Sequence, residues 1–151
     1  TDYSSSPLLA NCSRSIKGFK DARRWEGLWR STVLMAIQRD FEPEPESARA
    51  VRRFVAEAIP GATYLDDVIL AASELAANVI RHAETAFTVR LIANENLVRV
   101  EVSDGSSIAP ALEDLTESHR GLRLIEAISE DWGFEITDNG KTVWAEFTNT
   151  P

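Results

Sequence analysis

One run constrains the fold more than any other: Leu65 to His82, eighteen residues rich in Ala, Val, Ile and Leu. Its length and composition predict a single buried helix. Among its polar residues, two lie in the apolar middle on one face. Glu74 and Asn78 are four apart, so they stack on one face, one turn separated. His82 continues that row and Arg81 flanks it. Asn inside a helix costs stability relative to Ala and needs a reason. Its amide oxygen can hold a hard cation such as Mg²⁺, and the neighbouring carboxylate can take a proton or order a water. The bland alternatives are a capped solvent edge for Glu74, and a partner contact or backbone bond for Asn78. His82 reads as a helix-end residue rather than a ligand.

The remainder supplies a sheet for that helix to cover. Ala36 to Phe41 predicts a short strand, ended by Pro43 and Pro45. Val51, Phe54, Val55, Ala58 and Ile59 form an amphipathic helical stripe that Pro60-Gly61 terminates. A polar turn over Thr63 to Asp67 is expected to cap the long helix. Phe87–Ala93 and Leu97–Ser103 predict a hairpin, since Val98, Val100 and Val102 alternate with Arg99 and Glu101. A loop is expected from Asp104 to Arg120 and a short helix from Gly121 to Ser129. A last hairpin pairs Trp132–Thr137 with Thr142–Phe147, with Trp132 and Trp144 as cross-strand core residues. The fold class is therefore α+β, a two-layer sandwich of a mixed, mostly antiparallel sheet with helices on one face.

Charge divides the chain. Up to Leu34 there are six Lys/Arg and three acids, a balance of +3. The whole carries −8, so the remainder carries −11. Residues 1–34 read as a basic, aromatic-containing extension and 35–151 as the domain. Phe19, Trp25, Leu28 and Trp29 give the extension a weak helical pattern, suited to packing on the domain or on a second subunit. The sharper alternative is docking to an acidic partner or a membrane surface. Met35 resembles an internal start. The acidic balance argues against direct nucleic-acid binding. The single Cys, Cys12, excludes an internal disulfide and suits a reducing cytoplasm. No apolar run reaches the roughly 20 residues of a membrane span, and no signal-peptide pattern opens the chain.

Three later motifs complete a constellation with Glu74 and Asn78. Asp104-Gly105 follows a strand, where the carboxylate can enter a pocket and accept a hydrogen bond from an exocyclic amine such as that of adenine. His119-Arg120-Gly121-Leu122 is expected to open a helix, where free N–H groups attract phosphate. Gly140-Lys141-Thr142 begins the last strand. Each alone is weak, since Asp-Gly is ordinarily a turn. Their order on these elements is far more specific.

With these residues in hand, the region from about Ile37 to Phe147 resembles the GHKL (Bergerat-fold) ATP-binding domain. It is closer still to the RsbW-type anti-sigma-factor serine kinases of bacteria, of the actinobacterial kind. Ser73 to His82 (Ser-Glu-Leu-Ala-Ala-Asn-Val-Ile-Arg-His) resembles their N-box, and Ser103-Asp-Gly-Ser their G1 box. Arg120-Gly-Leu with Ile125-Glu-Ala resembles the G2 box, and Gly140-Lys-Thr-Val-Trp144 the closing Gly-Thr strand. Glu44 to Phe54 resembles their first helix. The resemblance implies an anti-sigma factor that sequesters a sigma factor and phosphorylates its STAS-type antagonist on Ser or Thr, using ATP and Mg²⁺ in a cytoplasmic homodimer. It implies that Glu74 is the general base, Asn78 the Mg²⁺ ligand, and Asp104 the adenine reader with Thr142 in support. Gly105, Gly121 and Leu122 would line the nucleotide site, Arg81 and Arg120 would stabilise phosphates, and Ile108 to Ser118 would form the lid.

The pattern also departs from that family. Asp-x-Gly-x-Gly is replaced by Asp104, Gly105, Ser106 and Ser107, and the first glycine of the G2 box is missing. The lid region carries Glu113, Asp114 and Glu117, which repel phosphate. These departures favour an alternative from another class, a binding module that holds a sigma factor or antagonist without turnover. The catalytic domain of a sensor histidine kinase is a third reading, opposed by the short lid and by the lack of a helix pair bearing a phospho-acceptor His.

Overall fold

The computed structural model describes residues 35–106 and 117–148, except for the side chains of residues 117–120. The expectations for the basic extension, and for all of the Ile108–Ser118 lid but its last two residues, which begin a helix, lie outside the described residues. Within them the chain runs β1 (Met35–Phe41), α1 (Pro45–Ala58), α2 (Leu65–Asn78), a π-helical turn (Val79–Ala83), β2 (Phe87–Ala93), β3 (Leu97–Asp104), α3 (Glu117–Ile128), β4 (Asp131–Thr137) and β5 (Gly140–Thr148). The five strands form one sheet in the order β1-β2-β3-β5-β4. Every pairing in it is antiparallel. The architecture is α+β, as the alternating patterns predict.

Local chemistry accounts for the element ends. Pro45 stands at the start of α1, where its missing N–H costs nothing. Gly61, with φ +75°, takes the left-handed conformation just after it. The expected side-chain cap on α2 is absent: Tyr64 occupies the cap position and makes no such bond. Asp66 and Asp67 in the first turn instead oppose the positive end of the helix dipole. Helix α3 starts at Glu117, one turn before the expected Gly121. It closes with Ser129, whose Oγ donates to the Ile125 carbonyl at 2.6 Å.

The long apolar helix is not α-helical to its end. After Asn78 the backbone widens into the π-helical turn, which ends on Glu84 with φ +55°. Such bulges recur at functional sites because they re-aim side chains without ending the helix. Here the bulge begins directly after a candidate ligand.

Helices α1 and α3 flank α2, and α2 packs on β3 and β5. The core lies between this layer and the sheet: Val51, Phe54 and Val55 of α1, Val68, Ala71, Ala72 and Leu75 of α2, Leu122 and Ile125 of α3, and Val89, Leu91, Val100 and Val102 of the strands. Small residues on α2 let the helix approach the sheet closely. Trp132 and Trp144 are both fully buried, but on opposite faces, since their strand partners are Ala145 and Gly133. Trp144 receives the Arg99 guanidinium over its ring at 4.4 Å, and Arg99 pairs with Glu101 at 2.7 Å.

Candidate functional site

The register of the sheet creates the site. At one end, Phe41 pairs with Phe87, Phe87 with Asp104, Asp104 with Lys141, and Lys141 with Ile136. One row thus crosses all five strands. It points to the helix layer, since Phe41 and Phe87 belong to the core and Ile136 packs against it. The rings of Phe41 and Phe87 stack with centroids 5.5 Å apart. In the middle of this apolar row stands a carboxylate, and beside it an ammonium.

Asp104 is buried, with its side chain 1% exposed. Its Oδ1 accepts the Ser106 N–H at 2.7 Å and a bond from Lys141 Nζ at 3.1 Å. Its Oδ2 lies 2.9 Å from the same Nζ. The ammonium thus pairs with both oxygens, and the remaining lone pair of Oδ2 is the acceptor left for a ligand N–H.

Gly140 makes this juxtaposition possible. With φ +140°, its Cα lies against the Asp104 backbone: a Cβ there would stand 1.9 Å from the Asp104 carbonyl oxygen. Gly105 is held differently. Its N–H donates to Thr85 Oγ1 at 2.9 Å, and a Cβ would meet Thr85 only at an ordinary 3.4 Å.

Thr142 does not stand beside Asp104. It is the partner of Ser103, and its hydroxyl is 2.7 Å from the Ser103 hydroxyl. Both belong to the opposite face of the sheet, in a row with Asp40, Thr88 and Glu135. The residue that reaches Asp104 is Lys141, one position earlier. Strand alternation decides this: adjacent residues face opposite ways.

Above the sheet, Glu74 and Asn78 project from the last two turns of α2. Glu74 leans on α3, where its Oε2 is 2.8 Å from the position a Cβ on Gly121 would occupy. Gly121 is therefore inside α3 rather than at its free N-terminus, and its lack of a side chain makes room for the carboxylate. Asn78 Oδ1 accepts a long bond, 3.4 Å, from Arg81 Nη2. Leu122 is buried in the core and contributes packing. Arg120 lies in the first turn of α3, its side chain outside the described residues. His82 is exposed in the π-helical turn.

Among the described residues no three His, Cys, Asp or Glu gather as a metal cage. Mg²⁺ does not require one. It keeps several waters and takes one or two protein oxygens with substrate phosphates. The Asn78 amide oxygen, held by one long bond, fits that use.

A family model described as a histidine kinase-like ATPase domain matches residues 41–147. The chain belongs to this family. Its fold is also that of the crystal structure of the RsbU and RsbW domains of Rv1364c from Mycobacterium tuberculosis, with a TM-score of 0.59 and 21% identity. That likeness covers 78% of this chain and 33% of the other, so it spans about a third of that chain's length. No curated protein matches this sequence.

Proposed function

We propose that this domain binds ATP with Mg²⁺ and transfers its γ-phosphoryl group to a serine or threonine of an antagonist protein, while holding a sigma factor. Glu74 takes the proton from the acceptor hydroxyl as its oxygen bonds to phosphorus and the bond to the departing ADP breaks. Asn78 would hold Mg²⁺ through its amide oxygen, and the ion would supply neutralisation of the phosphate charge. Asp104 accepts the adenine amino group, and Arg81 steadies the phosphates. Positioning and charge neutralisation carry most of such a reaction.

The observation that carries this reading is the buried Asp104 carboxylate, paired with Lys141 in an apolar row beneath the helix that bears Glu74 and Asn78. The RsbW-like fold supports the choice of partners, a sigma factor and a STAS-type antagonist, in a cytoplasmic homodimer. The test is transfer of radiolabelled phosphate from ATP to candidate antagonists by wild type and Glu74→Ala. Transfer lost in the variant, with ATP binding retained, supports the kinase. ATP binding with no transfer to any antagonist supports a second reading, a binding module without turnover. The departure of Asp104-Gly105-Ser106-Ser107 from the Asp-x-Gly-x-Gly pattern favours that reading.

A further inference from the structure

Lys141 has no part in the phosphoryl-transfer chemistry, yet it stands at the centre of the base site. It is Asp104's cross-strand partner. Its side chain is only 13% exposed. A lysine near a strand end ordinarily extends into water, and drawing it inward costs rotamer freedom and solvation. What it makes there is a composite polar surface. Asp104 Oδ2, already paired with the ammonium, keeps a lone pair for one further donor. The ammonium spends one of its three N–H donors on Oδ1. An acceptor and spare donors thus lie side by side, 2.9 Å apart, within a row of Phe87 and Ile136.

The Watson–Crick edge of adenine is the complement of that surface, a donor N6–H adjacent to an acceptor N1. A carboxylate alone reads only the first. We propose that Lys141 is a second base-reading residue, donating from Nζ to adenine N1 while Asp104 Oδ2 accepts from N6. This rests on the ATP-binding reading above. The lysine keeps its contact with Oδ1 and turns a spare N–H toward the ring, so the ion pair stays intact when the base arrives.

The test is a cycle of two changes, one on each partner. Wild type and Lys141→Met are titrated calorimetrically, with Mg²⁺ present, against ATP and against 1-deaza-ATP, which has C–H in place of N1. In wild type the analogue should bind about tenfold more weakly, the scale of a lost hydrogen bond to a charged group. Lys141→Met should bind ATP about tenfold more weakly than wild type and treat the two nucleotides alike. A merely structural lysine would weaken both ligands equally and leave the analogue penalty in place. That result, or ATP binding by Lys141→Met as tight as wild type, overturns the proposal and leaves the ATP site standing. If the methionine variant does not fold, the wild-type comparison decides alone: equal affinity for ATP and its analogue overturns the inference. If wild type binds neither nucleotide at millimolar concentration, the ATP reading falls and this one with it.

Discussion

The Glu74 carboxylate occupies the space in front of the Gly121 Cα. A Cβ at residue 121 would stand 2.8 Å from Oε2 and 3.7 Å from Glu74's own Cβ. The two helices α2 and α3 meet at this point, and the glycine is what lets a charged side chain lie between them. Gly121→Ala must therefore push the carboxylate aside. The displaced atom is the end of a flexible chain, so the fold should tolerate it. On the proposed role of Glu74 as the base, phosphoryl transfer should fall by tenfold or more, since small displacements of a reacting group cost up to about 10²-fold, while ATP affinity changes little. Glu74→Asp in the Gly121→Ala background, with a shorter side chain, should restore part of the loss. Transfer rates and titrations on the three proteins check this.

Gly140→Ala should be far more damaging to stability. The overlap is with the Asp104 carbonyl, a backbone atom at 1.9 Å, and φ is +140°. Backbone strain and overpacking each cost about 1–3 kcal/mol. A loss of about 3 kcal/mol or more is expected in urea unfolding, with the β3–β5 pairing disturbed at Asp104. A loss below about 1 kcal/mol would contradict this packing.

Glu84 closes the π-helical turn in the left-handed region, at φ +55°. A side chain there costs about 1–2 kcal/mol that glycine avoids. Glu84→Gly should thus hold or raise the unfolding midpoint despite glycine's greater unfolded-state freedom. A clear drop in midpoint would mean the glutamate side chain is needed where it is.

Burial raises the Tyr64 phenol above its ordinary 10.0. The folded state resists ionisation, so the unfolded state loses the proton first. Stability from this residue is full below pH 10.0 and is lost as pH rises through the raised folded value. The stability gap between wild type and Tyr64→Phe should be constant at neutral pH and move against wild type above pH 10. Parallel urea titrations across that range measure it.

The fold was legible where periodicity is strict. Val98, Val100 and Val102 declared a strand and the face it turns to the helices, though Arg99 and Glu101 on its other face are buried as well, and the Val51–Ile59 stripe declared a helix. The interruption of an apolar helix by Glu74 and Asn78 marked the candidate site. What escaped depends on facts outside local pattern. Glu117 to Arg120 are as polar as a loop, so only the structure extends α3 over them. The π-helical turn leaves no trace in a run as uniformly helical as Leu65 to His82. That Lys141 rather than Thr142 stands beside Asp104 hangs on strand parity, which only the pairing register reveals. A slip of one residue exchanges the faces.

The most direct test of the account is calorimetric titration of ATP, with and without Mg²⁺, into wild type, Asn78→Ala and Asp104→Ala. Binding that strengthens with Mg²⁺ in wild type, loses that Mg²⁺ effect in Asn78→Ala and largely disappears in Asp104→Ala is the predicted result. A folded wild-type protein that takes up no ATP at millimolar concentration, or an Asp104→Ala variant that binds as wild type does, would contradict it.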